Sequence, residues 1–116
     1  MPADAAPLKL LFVCSMNQWR SPTAELLFRG FNGCQTRSAG TADGARIKID
    51  AGLIGWSDLI FTMEKKHVRQ IEEAFGEALL NKRVICLHIP DSYRRDDPEL
   101  IELLKASVIP HLVGSE

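Results

Sequence analysis

Four consecutive apolar residues, Leu10-Leu11-Phe12-Val13, run straight into Cys14, and the loop that follows closes on Arg20-Ser21-Pro22. A run that is apolar at every position has no face to offer water. It therefore suits a strand covered on both sides, the kind found in a parallel sheet sandwiched between helices. Pro22 fits the first turn of a helix, where its missing amide costs nothing. This order places a thiol at the carboxyl end of an interior strand, just ahead of a helix start.

The rest of the chain repeats the alternation. A strand over Lys9 to Val13 leads to a helix from Pro22 to about Phe31, with Ala24, Leu26, Leu27 and Phe31 on its apolar face and Asn32-Gly33 as its breaker. Gln35 to Ala39 is the second strand, followed by a loop from Gly40 to Arg46. Asp50 is expected to cap a short helix through Trp56. Asp58 to Met63 forms the third strand, and Glu64 to Leu80 a helix with a weak point at Gly76. Arg83 to Ile89 gives the fourth strand. A last helix begins at Pro98, capped by Asp97, carries Leu100, Leu103, Leu104, Val108 and Ile109 on one stripe, and stops near Pro110. This pattern predicts an α/β fold with a parallel sheet and helices on both faces. At 116 residues, one domain over 1–116 is expected.

The loop after Cys14 has the makings of an oxyanion cradle. Amides of Ser15, Met16, Asn17, Gln18 and Trp19 are placed to point inward, and the helix starting at Ser21-Pro22 adds its positive end. Arg20 supplies a planar fork that matches two oxygens of a phosphate. The same surroundings favour a thiolate, so Cys14 is the expected nucleophile. Ser21 is expected to donate its hydroxyl to that sulfur.

Composition narrows the partners. Fourteen basic residues against fifteen acidic ones give a net charge of -1, which offers nothing to nucleic acid or an anionic membrane. No stretch approaches the roughly 20 apolar residues of a membrane span. Met1 to Pro7 lacks the basic and apolar regions of an export signal. Three cysteines without ligand spacing point to reduced thiols in a cytoplasmic setting, with Cys34 and Cys86 as core residues. His67, His88 and His111 show no metal-ligand spacing, and surface or internally satisfied histidines are expected. No metal is called for.

The segment Val13-Cys14 through Arg20-Ser21-Pro22-Thr23-Ala24-Glu25 resembles the phosphate loop of low-molecular-weight protein tyrosine phosphatases, V-C-x-G-N-x-C-R-S-P-x-A-E. Three further pieces match in order: Ser38-Ala39-Gly40-Thr41, Ser57-Asp58-Leu59-Ile60-Phe61-Thr62-Met63 and Ile89-Pro90-Asp91-Ser92-Tyr93. The resemblance implies a three-layer α/β sandwich, with a four-stranded parallel sheet of order 2-1-3-4 and the phosphate loop after the first strand. It implies a phosphatase without cofactor that works through a phosphocysteine on Cys14. Arg20 would bind the phosphate and Asp91 would serve as general acid. Tyr93 would wall the substrate ring, while Asn17 and Ser38 brace the loop. Asp97, also followed by proline, is the rival acid, although it equally fits a helix cap.

The implied substrate is a phosphotyrosine protein or a small aryl phosphate, handled by a monomer or weak dimer. The chain departs from the pattern at Met16, Trp19 and Ser92, and the stretch between Thr41 and Asp58 is short. Two other functions fit a related cradle: a thiol-dependent arsenate reductase, which needs a resolving cysteine nearby, and a phosphate- or phosphoprotein-binding module without catalysis.

Overall fold

A computed structural model describes residues 8–113. The reading of Met1 to Pro7 concerns a segment outside the described residues. Strands β1 (Lys9–Cys14), β2 (Gln35–Gly40), β3 (Leu59–Thr62) and β4 (Arg83–Cys86) form one sheet of order β2-β1-β3-β4, parallel at every pairing. That is the order the resemblance implied. Residues Leu10 to Val13 have no solvent exposure, so the apolar run is indeed covered on both sides.

Strand periodicity sorts that run between two cores. Leu10, Phe12 and Cys14 face α1 (Arg20–Phe28) and α4 (Pro98–Leu112), packing with Ala24, Phe28, Leu100, Leu104 and Val108. Leu11 and Val13 face the opposite side and pack with Ile54 of α2 (Ala51–Trp56) and Ile71 of α3 (Lys65–Phe75). Three layers result. Phe12 stacks on Phe28 at 5.8 Å and on Phe61 at 5.3 Å, tying α1 to the sheet.

Several boundaries differ from expectation. Helix α1 starts at Arg20 and ends at Phe28, because Arg29 is extended and Gly30 takes φ +80°; a 3-10 turn over Phe31–Gly33 follows. Its buried face uses Ala24 and Phe28, four residues apart, and leaves Leu26 at 45% exposure. Helix α3 stops at Phe75, and the chain tightens into a 3-10 turn from Gly76 to Leu79. Strand β4 ends at Cys86, since His88 adopts φ +57°. The amides of Leu87 and Ile89 nevertheless still bond the carbonyls of Thr62 and Met63 at 2.8 Å. Helix α4 runs past Pro110 to Leu112, whose side chain packs on the same core as the rest of the stripe.

The caps fall where the sequence put them. Asp50 accepts from the Leu53 amide at 2.8 Å and Asp97 from the Glu99 amide at 2.9 Å. The carboxyl end of β1 lies between β2 and β3, where the strand order reverses. In open parallel sheets, ligands bind in the crevice at that point.

Candidate active site

The loop from Cys14 to Arg20 turns its carbonyls outward. Those of Cys14, Ser15 and Met16 accept from the amides of Thr41, Ala42 and Arg46, each at 3.0 Å, and that of Asn17 accepts from Arg46 Nε at 3.0 Å. With the carbonyls occupied outside, the amides are left for the interior. Those of Ser15, Met16, Gln18 and Trp19 have no partner among the described residues. Asn17 makes the turn at φ +57°, and its amide points at Cys14 Sγ from 3.3 Å. The neighbouring strand must pass close by. A Cβ on Gly40 would sit 2.4 Å from the Ser15 carbonyl oxygen and 2.7 Å from the Ala45 Cβ, so only glycine fits there.

Beneath the loop runs a buried chain of hydrogen bonds. Asn17 Nδ2 donates to Ser21 Oγ at 2.8 Å and to Ser38 Oγ at 2.9 Å. An amide nitrogen only donates, so both hydroxyls accept from it. Ser21 Oγ lies 2.9 Å from Cys14 Sγ and 3.4 Å from the Ala39 carbonyl, so towards a Cys14 thiolate, which can only accept, its hydroxyl is the donor. Ser38 in turn donates to Glu25, which Arg29 approaches at 3.6 Å. Asn17 and Ser38, expected to brace the loop, are both members of this hydrogen-bond chain. Glu25 had no assigned role in the sequence, though it stands one helical turn beyond Ser21.

Arg20 is only 1% exposed, and its guanidinium is held from several sides. Nη1 donates to the Glu64 carboxylate and, at 2.8 Å, to the Ile89 carbonyl; Nε lies 3.7 Å from Asp91 Oδ1. A buried cation needs such a partner. Burial pushes the Glu64 carboxyl up, but the Arg20 hydrogen bond and charge outweigh it and hold that group below the usual carboxylate range. Glu64 also caps α3 in a reciprocal box with His67: its amide donates to His67 Nδ1 at 3.0 Å. His67 is fully buried, as a satisfied histidine, and its Nε2 lies 2.9 Å from Ser15 Oγ. Burial, reinforced by the Arg20 charge, lowers its pKa to about 4.

Above the loop lies a cavity of about 250 Å³. Cys14, Arg20 and Asp91 line it together with Ser15 and Gln18. Met16 and Trp19, at 39% and 45% exposure, form its apolar lip. Asn17 and Ser21 lie below, buried. Tyr93 does not join the lining: it is half-buried and packs against the core of the α1 and α4 face. Asp97 is committed to capping α4, which leaves Asp91 as the carboxylate at the cavity. No group of three or more His, Cys, Asp or Glu side chains is arranged for a metal among the described residues.

No protein-family model matches the chain, and no curated protein aligns with it. Solved structures do. The chain is similar to the low molecular weight protein tyrosine phosphatase SP-PTP from Streptococcus pyogenes, with TM-score 0.70 and 18% identity over 86% of this chain and 87% of that one. It is also similar to the tyrosine phosphatase Wzb from Escherichia coli in complex with phosphate, with TM-score 0.70 and 26% identity over 88% of this chain and 94% of that one. The chain has the low-molecular-weight protein tyrosine phosphatase fold. A further structure of that fold, Vibrio vulnificus Wzb in complex with benzylphosphonate, matches with TM-score 0.68 and 23% identity over 88% and 94% of the two chains.

Proposed function

We propose that this chain is a cysteine-dependent phosphatase that hydrolyses phosphotyrosine in proteins, in the cytoplasm and without a cofactor. One observation carries the reading: Cys14, Arg20 and Asp91 line the same cavity, beside a loop whose Ser15, Met16, Gln18 and Trp19 amides have no partner among the described residues. The similarity to a tyrosine phosphatase in complex with phosphate supports it.

In the proposed reaction Cys14 Sγ attacks phosphorus in line with the scissile bond. The ester oxygen departs and takes a proton from Asp91, leaving a phosphocysteine. Loop amides and Arg20 hold the equatorial oxygens, where charge is concentrated in the transition state. Water then attacks the phosphocysteine, giving its proton back to Asp91, and inorganic phosphate and the thiolate are released. Hydrogen bonds from Ser21 and the Asn17 amide stabilise the sulfur both as nucleophile and as leaving group. The apolar lip of Met16 and Trp19 offers a surface for an aromatic ring at the mouth.

The arsenate-reductase reading needs a second thiol within disulfide reach. Cys34 lies before the start of β2, at the end of the sheet opposite Cys14. Cys86 pairs with Thr62, which pairs with Val13, so two strand spacings separate it from β1. That is ~9.6 Å, beyond the ~7 Å that a disulfide spans. Phosphate release from an aryl phosphate and from a phosphotyrosine peptide tests the proposal. Wild type should turn over both and Cys14→Ser neither. Tight phosphate binding without turnover of any aryl ester would favour a binding module instead.

A further inference from the structure

His67 is buried and polar, and the chemistry above does not use it. Its two ring nitrogens are both committed. The Glu64 amide must donate to Nδ1, because a backbone N–H cannot accept, so Nδ1 carries the lone pair and Nε2 the proton. That proton points at Ser15 Oγ, 2.9 Å away, so the hydroxyl accepts from the ring. Ser15 makes no other side-chain hydrogen bond among the described residues, and it lines the cavity. Its own proton is therefore free to point at whatever anion occupies that space.

We propose that the Ser15 hydroxyl donates directly to the transferred phosphoryl group, and that His67 is the positioning residue that aims it. This rests on the phosphatase reading and deepens it. The cradle then holds its substrate with one side-chain hydroxyl as well as with amides and a guanidinium. The imidazole stays in the required neutral tautomer well below neutral pH, since burial holds its pKa near 4. The backbone bond to Nδ1 also fixes the ring plane, so the first turn of α3 holds the ring against the loop after β1.

The test uses the full chain, with inorganic phosphate as the probe and aryl phosphate turnover and thermal midpoint measured beside it. Ser15→Ala should weaken phosphate binding by about ten-fold or more, the effect of losing a hydrogen bond to a charged group, while Ser15→Thr retains most of it. At position 67, glutamine can replace the Nε2 donor and asparagine the Nδ1 acceptor. His67→Gln should therefore keep phosphate affinity better than His67→Asn, even where His67→Asn, which preserves the α3 cap, melts higher. A merely structural role predicts the reverse, with affinity following the melting order.

Phosphate affinity of Ser15→Ala within about two-fold of wild type, with Cys14-dependent turnover intact, would overturn the inference and leave the phosphatase reading standing. Equal affinities for His67→Gln and His67→Asn would remove the aiming role. A wild-type chain that neither binds phosphate nor cleaves an aryl ester would remove both claims.

Discussion

At the scale of single residues, Asn17 carries two separable duties. It holds φ +57°, and its side chain joins Ser21 to Ser38. Asn17→Gly keeps the backbone at ease and loses only the two hydrogen bonds, whereas Asn17→Ala also meets left-handed strain. Both should lower stability by about 1–3 kcal/mol in denaturant titrations, with alanine the worse of the two. Equal stability for wild type and Asn17→Ala would mean the buried chain beneath the loop contributes nothing. Asp91 is 59% exposed at the side chain and faces Arg20, and in the proposed reaction it donates the proton to the leaving group. Asp91→Asn should then slow esters of poorly acidic phenols by about 10²-fold and esters of strongly acidic ones far less. Uniform loss across leaving groups would remove it from that role.

At the scale of elements, the cap of α4 separates the two candidate acids. Asp97→Ala removes the bond to the Glu99 amide and should cost about 1 kcal/mol of stability with kcat/KM unchanged. A large loss of activity at unchanged stability would return Asp97 to the catalytic question. The elements themselves were largely legible in the sequence, because Leu10 to Val13 of β1 and Leu59 to Phe61 of β3 are continuous apolar runs and Asp50 and Asp97 stand immediately before helical stretches. The end of α1 was not: Phe31 extends the apolar pattern and still packs on the core, but from beyond a backbone turn at Arg29-Gly30, while Leu26 is left exposed and Phe28 is buried instead.

The cradle after β1 was legible for a similar reason, since Cys14, Arg20 and Ser21 are neighbours along one loop. Glu64, His67 and Glu25 were not, because their roles arise only when α3 and α1 are laid against that loop. Glu64 and His67 stand three residues apart at the start of α3, and their reciprocal cap and what it faces emerge only in the fold. Tyr93 lay beyond sequence reasoning for the opposite cause: the chain after Ile89 turns its ring onto the core.

At the scale of the whole molecule, the buried imidazole couples folding to pH. His67 titrates near 6.5 when unfolded and near 4 when folded, so between those values the unfolded chain binds more protons. Stability is therefore complete above pH ~6.5 and falls as the pH drops towards 4, by up to about 1.4 kcal/mol per pH unit from this one group. Glu64, whose folded pKa is also depressed, adds a loss below the ordinary carboxylate range. Denaturation midpoints followed from pH 7 to pH 4 should show this slope, and His67→Gln should flatten it between pH 6.5 and 5. A wild-type profile that is level across that window would mean the ring is hydrated rather than sealed between α3 and the loop.

The central claim is that the sulfur of Cys14 takes the phosphoryl group. Mixing the chain with an aryl phosphate, quenching in acid within one turnover and mapping the product by mass spectrometry tests it most directly. The account predicts one phosphate, on Cys14, appearing before phosphate is released. With an ester of a strongly acidic phenol, whose departure needs no proton from Asp91, it should accumulate further in Asp91→Asn, where water attack is slowed. Steady phosphate release with no phosphorylated Cys14 at any quench time would contradict it.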